Sequence, residues 1–291
     1  MAKRLMPGWL MKTAVSMWIF VDIAPCHVPA YNSQVRLMIE WLIQRSANHP
    51  HLARGVPPEG FLSAAERTVF DNLYSARRRK DWLLGRWTAK KIVQTEAEKL
   101  GKRLSCSQIS ILAGKDGAPG IWFGAGDGLR PANFSLSISH SKGASFCAVL
   151  QPGMIPLGAD MEVVEPRPRG FVESYFTEAE KEIIHRASPE QRDHLITAIW
   201  SGKEAALKAV RQGLRLDTRS LNCLFPLPFR TFAGDLELDS WHPFIIQWRS
   251  DPTYPALSGW WRVWQEYILT LVTTVESKPV PGCLWQIEDI N

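Results

Sequence analysis

Ile155-Pro156-Leu157-Gly158-Ala159-Asp160-Met161-Glu162-Val163-Val164 reads as a strand, and further on Trp200-Ser201-Gly202-Lys203-Glu204-Ala205-Ala206-Leu207-Lys208 reads as a helix. Side chains alternate along a strand, so Asp160 and Glu162 project from one face. Two neighbouring carboxylates repel each other unless a cation lies between them. On the helix, Glu204 and Lys208 stand one above the other. Ile196, Ile199, Trp200, Leu207 and Val210 form an apolar stripe, with Glu204 and Lys208 along its flank. Three carboxylates and an ammonium could then share one partly dry site. Such an all-oxygen donor set suits a hard divalent cation holding a diphosphate, because Mg²⁺ takes a few carboxylates and completes its shell with water and phosphate oxygens. Each half also has a plainer reading. A DxE pair arises by chance, and Glu204 ahead of Lys208 is the favoured orientation of an ordinary helix-surface ion pair.

A third stretch joins them. Phe134-Ser135-Leu136-Ser137-Ile138-Ser139-His140-Ser141 alternates apolar and polar residues, the pattern of a half-buried strand, and Ala144–Leu150 follows as its hairpin partner. Hydroxyls, an imidazole and Lys142 gather at the tip, where they could meet a phosphate.

These segments, SISHS, GADME, FVESYFTEAE over 171–180 and WSGKEAALK, resemble in order and spacing the 4′-phosphopantetheinyl transferase superfamily. The length is similar to that of the surfactin-type members with two fused halves, and the resemblance runs from about Phe61 to about Glu276. It implies an α+β fold of two similar α/β lobes related by a pseudo-twofold, each with a mostly antiparallel sheet packed on a long helix. The lobes are expected over 1–155 and 156–276, with 277–291 a peripheral tail.

The composition is that of a soluble globular protein with room for a sizeable core, 45% hydrophobic and 22% charged over 291 residues. Residues 1–155 carry 20 basic against 10 acidic side chains, and residues 156–291 carry 14 against 19. A basic half beside an acidic half argues against a general nucleic-acid binder and for one half holding an anion while the other holds a cation. The five cysteines are scattered without a CxxC pair, as expected of buried thiols in a reducing, cytoplasmic setting. Thirteen tryptophans are expected mainly in cores. The apolar run after Lys12 is short and interrupted by Asp22, so Thr13–Ile23 is read as a core strand rather than a signal peptide. No stretch is long and apolar enough to span a bilayer.

Asn32–Ser46 has helical periodicity through Val35, Met38, Ile39, Leu42 and Ile43. The segment 47–60 is a loop. Ser63-Ala64-Ala65-Glu66 is a capping box opening a helical stretch from Glu66 to Leu100, broken near Ser75 or Gly85. Arg79, Arg86 and Lys90 share a face of it by spacing. Leu104–Leu112 reads as a strand before a Gly-rich turn. Thr177-Glu178-Ala179-Glu180 and Ser188-Pro189-Glu190-Gln191 are further capping boxes, and strands follow over 236–238, 244–248, 259–265 and 267–275. No exact internal repeat is evident.

The resemblance assigns roles. Asp160, Glu162 and Glu204 would ligate Mg²⁺, with Mn²⁺ the other candidate ion. Glu204 would be the base, directly or through a metal-bound water, and Lys208 would steady the leaving phosphate. Arg79 or Lys80, Arg86, Lys90, Ser139 and His140 would hold coenzyme A, the substrate. Lys203 reads either as a phosphate contact or as a side chain snorkelling from the core stripe. Many members have a basic residue in the Gly-rich turn where this chain has Ala118, leaving Lys115 as a substitute. The partner would be an apo acyl or peptidyl carrier protein, docking on Val164–Phe176 through Arg167, Arg169 and Phe171, with the enzyme a monomer. The alternatives are a Mg²⁺-dependent hydrolase of coenzyme A or nucleotide diphosphates, and a non-catalytic carrier-protein binder.

Overall fold

The strand expected around Asp160 is present, and what surrounds it decides the rest of the architecture. The computed structural model describes residues 38–227, 241–249, 253–274 and the backbone of 278–279. All of them fall within one unit, Arg36–Asn291, while Met1–Val35 forms another unit and, with the strand expected over Thr13–Ile23, lies outside the described residues.

In chain order the elements are β1 (Met38–Arg45), α1 (Pro50–Ala53), α2 (Ala64–Asp71), α3 (Ala76–Lys99), β2 (Ile109–Ala113), β3 (Pro119–Phe123), β4 (Arg130–Pro131), β5 (Ser135–Ser141) and β6 (Ala144–Leu150). There follow β7 (Leu157–Val163), α4 (Phe171–Tyr175), α5 (Glu178–Arg186), α6 (Pro189–Ala209), β8 (Leu221–Leu224), β9 (His242–Trp248), β10 (Ser258–Trp264), β11 (Tyr267–Thr273) and β12 (Lys278–Pro279). One sheet has the order β12-β1-β6-β5, a second β7-β11-β10-β9-β8 and a third β2-β3-β4. Every pairing is antiparallel except β1 with β12. The fold is therefore α+β with mainly antiparallel sheets.

Period-two alternation sorts the core into layers. Ile39, Trp41 and Ile43 of β1 and Phe146 and Ala148 of β6 share one cluster with Leu157, Ala159 and Met161 of β7 and Leu269 and Leu271 of β11. The opposite faces of β1 and β6, Leu42, Cys147 and Val149, pack with Ala89, Ile92 and Val93 of α3. Ile268 and Val272 of β11 pack with Leu195, Ile199 and Leu207 of α6. The order is helix, sheet, sheet, helix. It explains why the helix expected over Asn32–Ser46 is, across its described part, a strand. Both faces of β1 are covered, so its apolar residues run together rather than alternate, and a short continuous apolar run carries no period that separates strand from helix.

The serines of β5 face protein rather than water. Ser137 Oγ accepts the Ala159 N–H at 2.8 Å and Ser139 Oγ the Met161 N–H at 3.3 Å, so hydroxyls of one edge strand satisfy amides of another. A strand expected to be half-buried is thus covered on both sides, and this seam holds β5 against β7. At its tip Lys142 and Gly143 both take positive φ, the two-residue turn that suits a twisted hairpin.

The capping boxes at Ser63/Glu66 and Thr177/Glu180 form as expected and open α2 and α5. The helical stretch after Glu66 breaks at Ser75, which caps α3, and continues through Gly85. The third box does not form. The Ser188 side chain makes no capping bond, Pro189 takes the first helical position, and Gln191 N–H bonds to the Ser188 C=O.

Both boxed glutamates reach a buried lysine on the long helix that follows. Lys90 Nζ lies 2.5 Å from Glu66 and donates to the carbonyls of Phe61 and Cys106 at 2.8 and 2.7 Å. Lys203 Nζ lies 2.9 Å from Glu180 and donates to those of Thr218 and Leu221 at 2.7 and 2.8 Å. Each carboxylate also takes a strand amide, Glu66 Oε1 from Ile111 and Glu180 Oε1, the oxygen that meets Lys203, from Cys223. Burial pushes Glu180 above the usual carboxylate range against the pull of Lys203, and lowers Lys90 against that of Glu66. The same arrangement of capping glutamate, buried lysine and strand amide thus occurs twice along the chain.

Gly158 permits the approach of β7 to α6. A Cβ there would stand 1.8 Å from the Ala205 carbonyl oxygen and 2.9 Å from the Ala209 nitrogen, both backbone atoms of the helix. Gly158→Ala is expected to cost about 2 kcal/mol or more, since neither neighbour can rotate away. The check is denaturant unfolding; an unchanged midpoint would contradict this packing.

Candidate active site

Alternation along β7 sends Leu157, Ala159 and Met161 into the inter-sheet core, so Gly158, Asp160 and Glu162 face α6. Opposite Asp160 in the ladder stands Thr270, whose hydroxyl lies 2.8 Å from that of Ser201 and ties α6 to the sheet at this level. Glu204 and Lys208, one turn and two turns beyond Ser201, come down on Asp160.

The Asp160 carboxylate is 1% exposed as a residue, yet Oδ1 is shared by Lys208 Nζ at 2.7 Å and Ser139 Oγ at 2.8 Å. Its Oδ2 is buried with no hydrogen-bond partner. Lys208 Nζ also reaches the Ala159 C=O at 3.2 Å and stands 3.9 Å from Glu204. Burial works to lower the Lys208 ammonium, but Asp160 and Glu204 outweigh it and the net shift is upward. Burial, then the facing Asp160 carboxylate, push Glu204 up to about 8. Burial and Asp160 raise Glu162 too, against Arg167, which holds it at 3.0 Å, and a hydrogen bond from Trp200. Each acid feels the others across the site.

Among the described residues no group of three or more His, Cys, Asp or Glu side chains stands in metal-holding geometry. Lys208 and Arg167 are, among the described residues, the cations paired with these acids. The donor set nonetheless fits a hard divalent ion: all its ligating atoms are oxygens, Asp160 keeps a buried orphan oxygen, and burial together with the facing Asp160 carboxylate raises Glu204, a penalty that added positive charge relieves.

A groove of about 500 Å³ adjoins the end of β5, lined by Arg77, Arg78, Arg86 and His140 with Asp81 and Trp82. Arg86 is lowered by burial, with Glu66 opposing, and lies 4.6 Å over the Trp82 ring while donating to the Ile111 C=O. A larger cleft of about 680 Å³ runs beside the Gly117-Ala118-Pro119 turn and reaches Lys208.

Of the residues expected from sequence, Asp160, Glu162, Glu204, Lys208 and Ser139 are brought together, and Arg86 and His140 share the neighbouring groove. Two placements require correction. Lys90 and Lys203, expected at phosphates, are 0% exposed and committed to Glu66 and Glu180. Arg79 turns onto the Phe70 ring at 4.0 Å and donates to the Leu73 C=O, and neither it nor Lys80 lines the groove. Arg77 and Arg78 take that place. Steps of four from Arg78 through Trp82 to Arg86 follow the more open face of α3, whereas one step beyond each of Arg86 and Arg79 stand Lys90 and Leu83, both 0% exposed. Arg167, expected at a docking surface, is tied to Glu162 and stacks over Phe171.

The segment that carries these carboxylates and the ammonium matches a known family. Residues 156–272 match the 4′-phosphopantetheinyl transferase superfamily, and this segment carries Asp160, Glu162, Glu204 and Lys208. The resemblance read from the sequence is thus shown over that segment. A solved structure, the holo-[acyl-carrier-protein] synthase of Thermotoga maritima, aligns at 22% identity over 41% of this chain and 63% of its own, with a TM-score of 0.31. The alignment therefore spans less than two thirds of that protein's length. No curated protein matches the chain significantly.

Proposed function

We propose that the protein transfers 4′-phosphopantetheine from coenzyme A to a serine hydroxyl of an apo acyl or peptidyl carrier protein, releasing 3′,5′-ADP, as a monomer built of two related halves. The observation that carries this is the Asp160–Lys208–Glu204 cluster lying inside the segment matched to the superfamily. The repeated Glu66–Lys90 and Glu180–Lys203 pairs and the strand orders β1-β6-β5 and β7-β11-β10 support the two-halves reading.

In the reaction the serine oxygen bonds to the β-phosphorus of the coenzyme's diphosphate, and the bond from that phosphorus to the bridging oxygen breaks. Glu204 takes the serine proton, and the electron pair leaves with 3′,5′-ADP. Lys208, fixed on Asp160, places its ammonium against the charge growing on the leaving phosphate. Ser139 donates to the same Asp160 Oδ1 and so helps fix the direction in which Lys208 is drawn. Arg77, Arg78, Arg86 and His140 supply donors for a remote phosphate of the coenzyme. A divalent cation held by Asp160, Glu162 and Glu204 would neutralise the diphosphate oxygens.

The test is incubation with coenzyme A, Mg²⁺ and an apo carrier protein, read by mass spectrometry of the carrier. A phosphopantetheine adduct is expected. Coenzyme consumption without an adduct would identify a hydrolase, and carrier binding with neither would identify a non-catalytic binder.

A further inference from the structure

Arg211 and Arg215 line the same cleft as Lys208, whose walls are otherwise mostly apolar. Arg211 follows the C-cap of α6 with φ 57°, in the left-handed region where helices usually place glycine. Its N–H bonds to the Lys208 C=O and that of Gln212 to the Leu207 C=O, so the helix closes in the turn that glycine ordinarily makes. An arginine held there carries backbone strain that glycine would not. Arg215 is held by the same helix end: Nη2 donates to the Arg211 C=O at 2.7 Å and Nε to the Gln212 C=O at 3.1 Å.

Both guanidiniums reach the turn between β2 and β3. Arg211 Nη1 lies 3.2 Å from Asp116 Oδ2, and Arg215 Nη2 lies 3.3 Å from the Asp116 carbonyl oxygen. Asp116 lines the cleft, whereas Lys115 is exposed and does not. The cleft wall at Ala118 thus has no basic side chain of its own, and two come to it from the end of α6.

We propose that Arg211 and Arg215 form an anion subsite that binds a phosphate group of the coenzyme, with Asp116 holding the guanidinium in position until the phosphate displaces it. This rests on the function proposed above. A half-exposed carboxylate–guanidinium pair is weakly bound, while a phosphate can accept paired bonds from two arginines, so the exchange favours the ligand.

Calorimetric titration of coenzyme A into the wild type, Arg211→Gly and Asp116→Asn tests this. Arg211→Gly removes the charge but relieves the backbone, so its melting temperature should hold or rise while coenzyme affinity falls about tenfold. Asp116→Asn keeps an acceptor for the Ala118 N–H, which now lies 3.0 Å from Asp116 Oδ1, and should bind a few-fold more tightly because the arginines lose their competitor. Opposite signs are the expected result. Equal weakening in both variants would mean a structural clasp, and unchanged affinity in Arg211→Gly would mean no subsite; either overturns the proposal. Should the wild type fail to bind coenzyme A, the functional reading falls and the subsite with it. Should it bind and Arg211→Gly match it, the subsite alone falls.

Discussion

Asp160→Asn is expected to lower the turnover of carrier loading at least about a hundredfold, the scale set by removing one positioned charged group from a reacting phosphate or oxyanion. The amide keeps the size of the side chain and can still accept from Ser139, so the fold should survive. What is lost is the anion that fixes Lys208 at 2.7 Å and faces Glu204 and Glu162. Steady-state kinetics should place the loss in kcat rather than in KM, because Asp160 lies outside both the arginine groove and the larger cleft. A variant retaining a tenth or more of wild-type turnover would remove Asp160 from the machinery.

Lys203→Met is expected to destabilise the protein by about 3–5 kcal/mol, which is the usual cost of leaving one member of a buried ion pair without its partner. Glu180 would remain 0% exposed with only the Thr177 and Cys223 amides, having already been pushed upward by burial. For a chain of this size the melting temperature should fall on the order of 10 °C. Lys90→Met should behave alike for the pair with Glu66. Replacing both members, as Glu180→Gln with Lys203→Met, should recover much of the loss because no lone charge is then buried. A fall of under a degree in Lys203→Met would return that lysine to the list of ligand contacts.

These two lysines also show where sequence reading stops. The spacing of Asp160 from Glu162 and of Glu204 from Lys208 is local, and a strand and a helix turn it directly into shared faces, so the centre of the site was legible. Burial of Lys203 was not. It sits between Gly202 and Glu204 on a helix that is covered on nearly every side, and its partner is a capping glutamate on a separate element. Lys90 was misread for the same reason: its partner, Glu66, is a capping glutamate on a separate element. The serine alternation of β5 signalled a strand correctly, but nothing local says that its polar face meets the edge amides of β7 rather than water. In β1 the error was one of period, since cover on both faces erases the alternation that separates strand from helix. Arg77 and Arg78 were passed over beside Arg79 because four consecutive basic residues contain one on every face of a helix.

The carboxylate cluster is held to serve group transfer to a carrier, and counting products tests that most directly. Coenzyme A, Mg²⁺ and an apo carrier protein are supplied to the wild type and to Asp160→Asn, and 3′,5′-ADP and carrier adduct are measured in the same samples. The two products should appear in equal amounts with the wild type and both should nearly vanish with the variant. Nucleotide released without matching adduct, or adduct formed at the wild-type rate by Asp160→Asn, would contradict it.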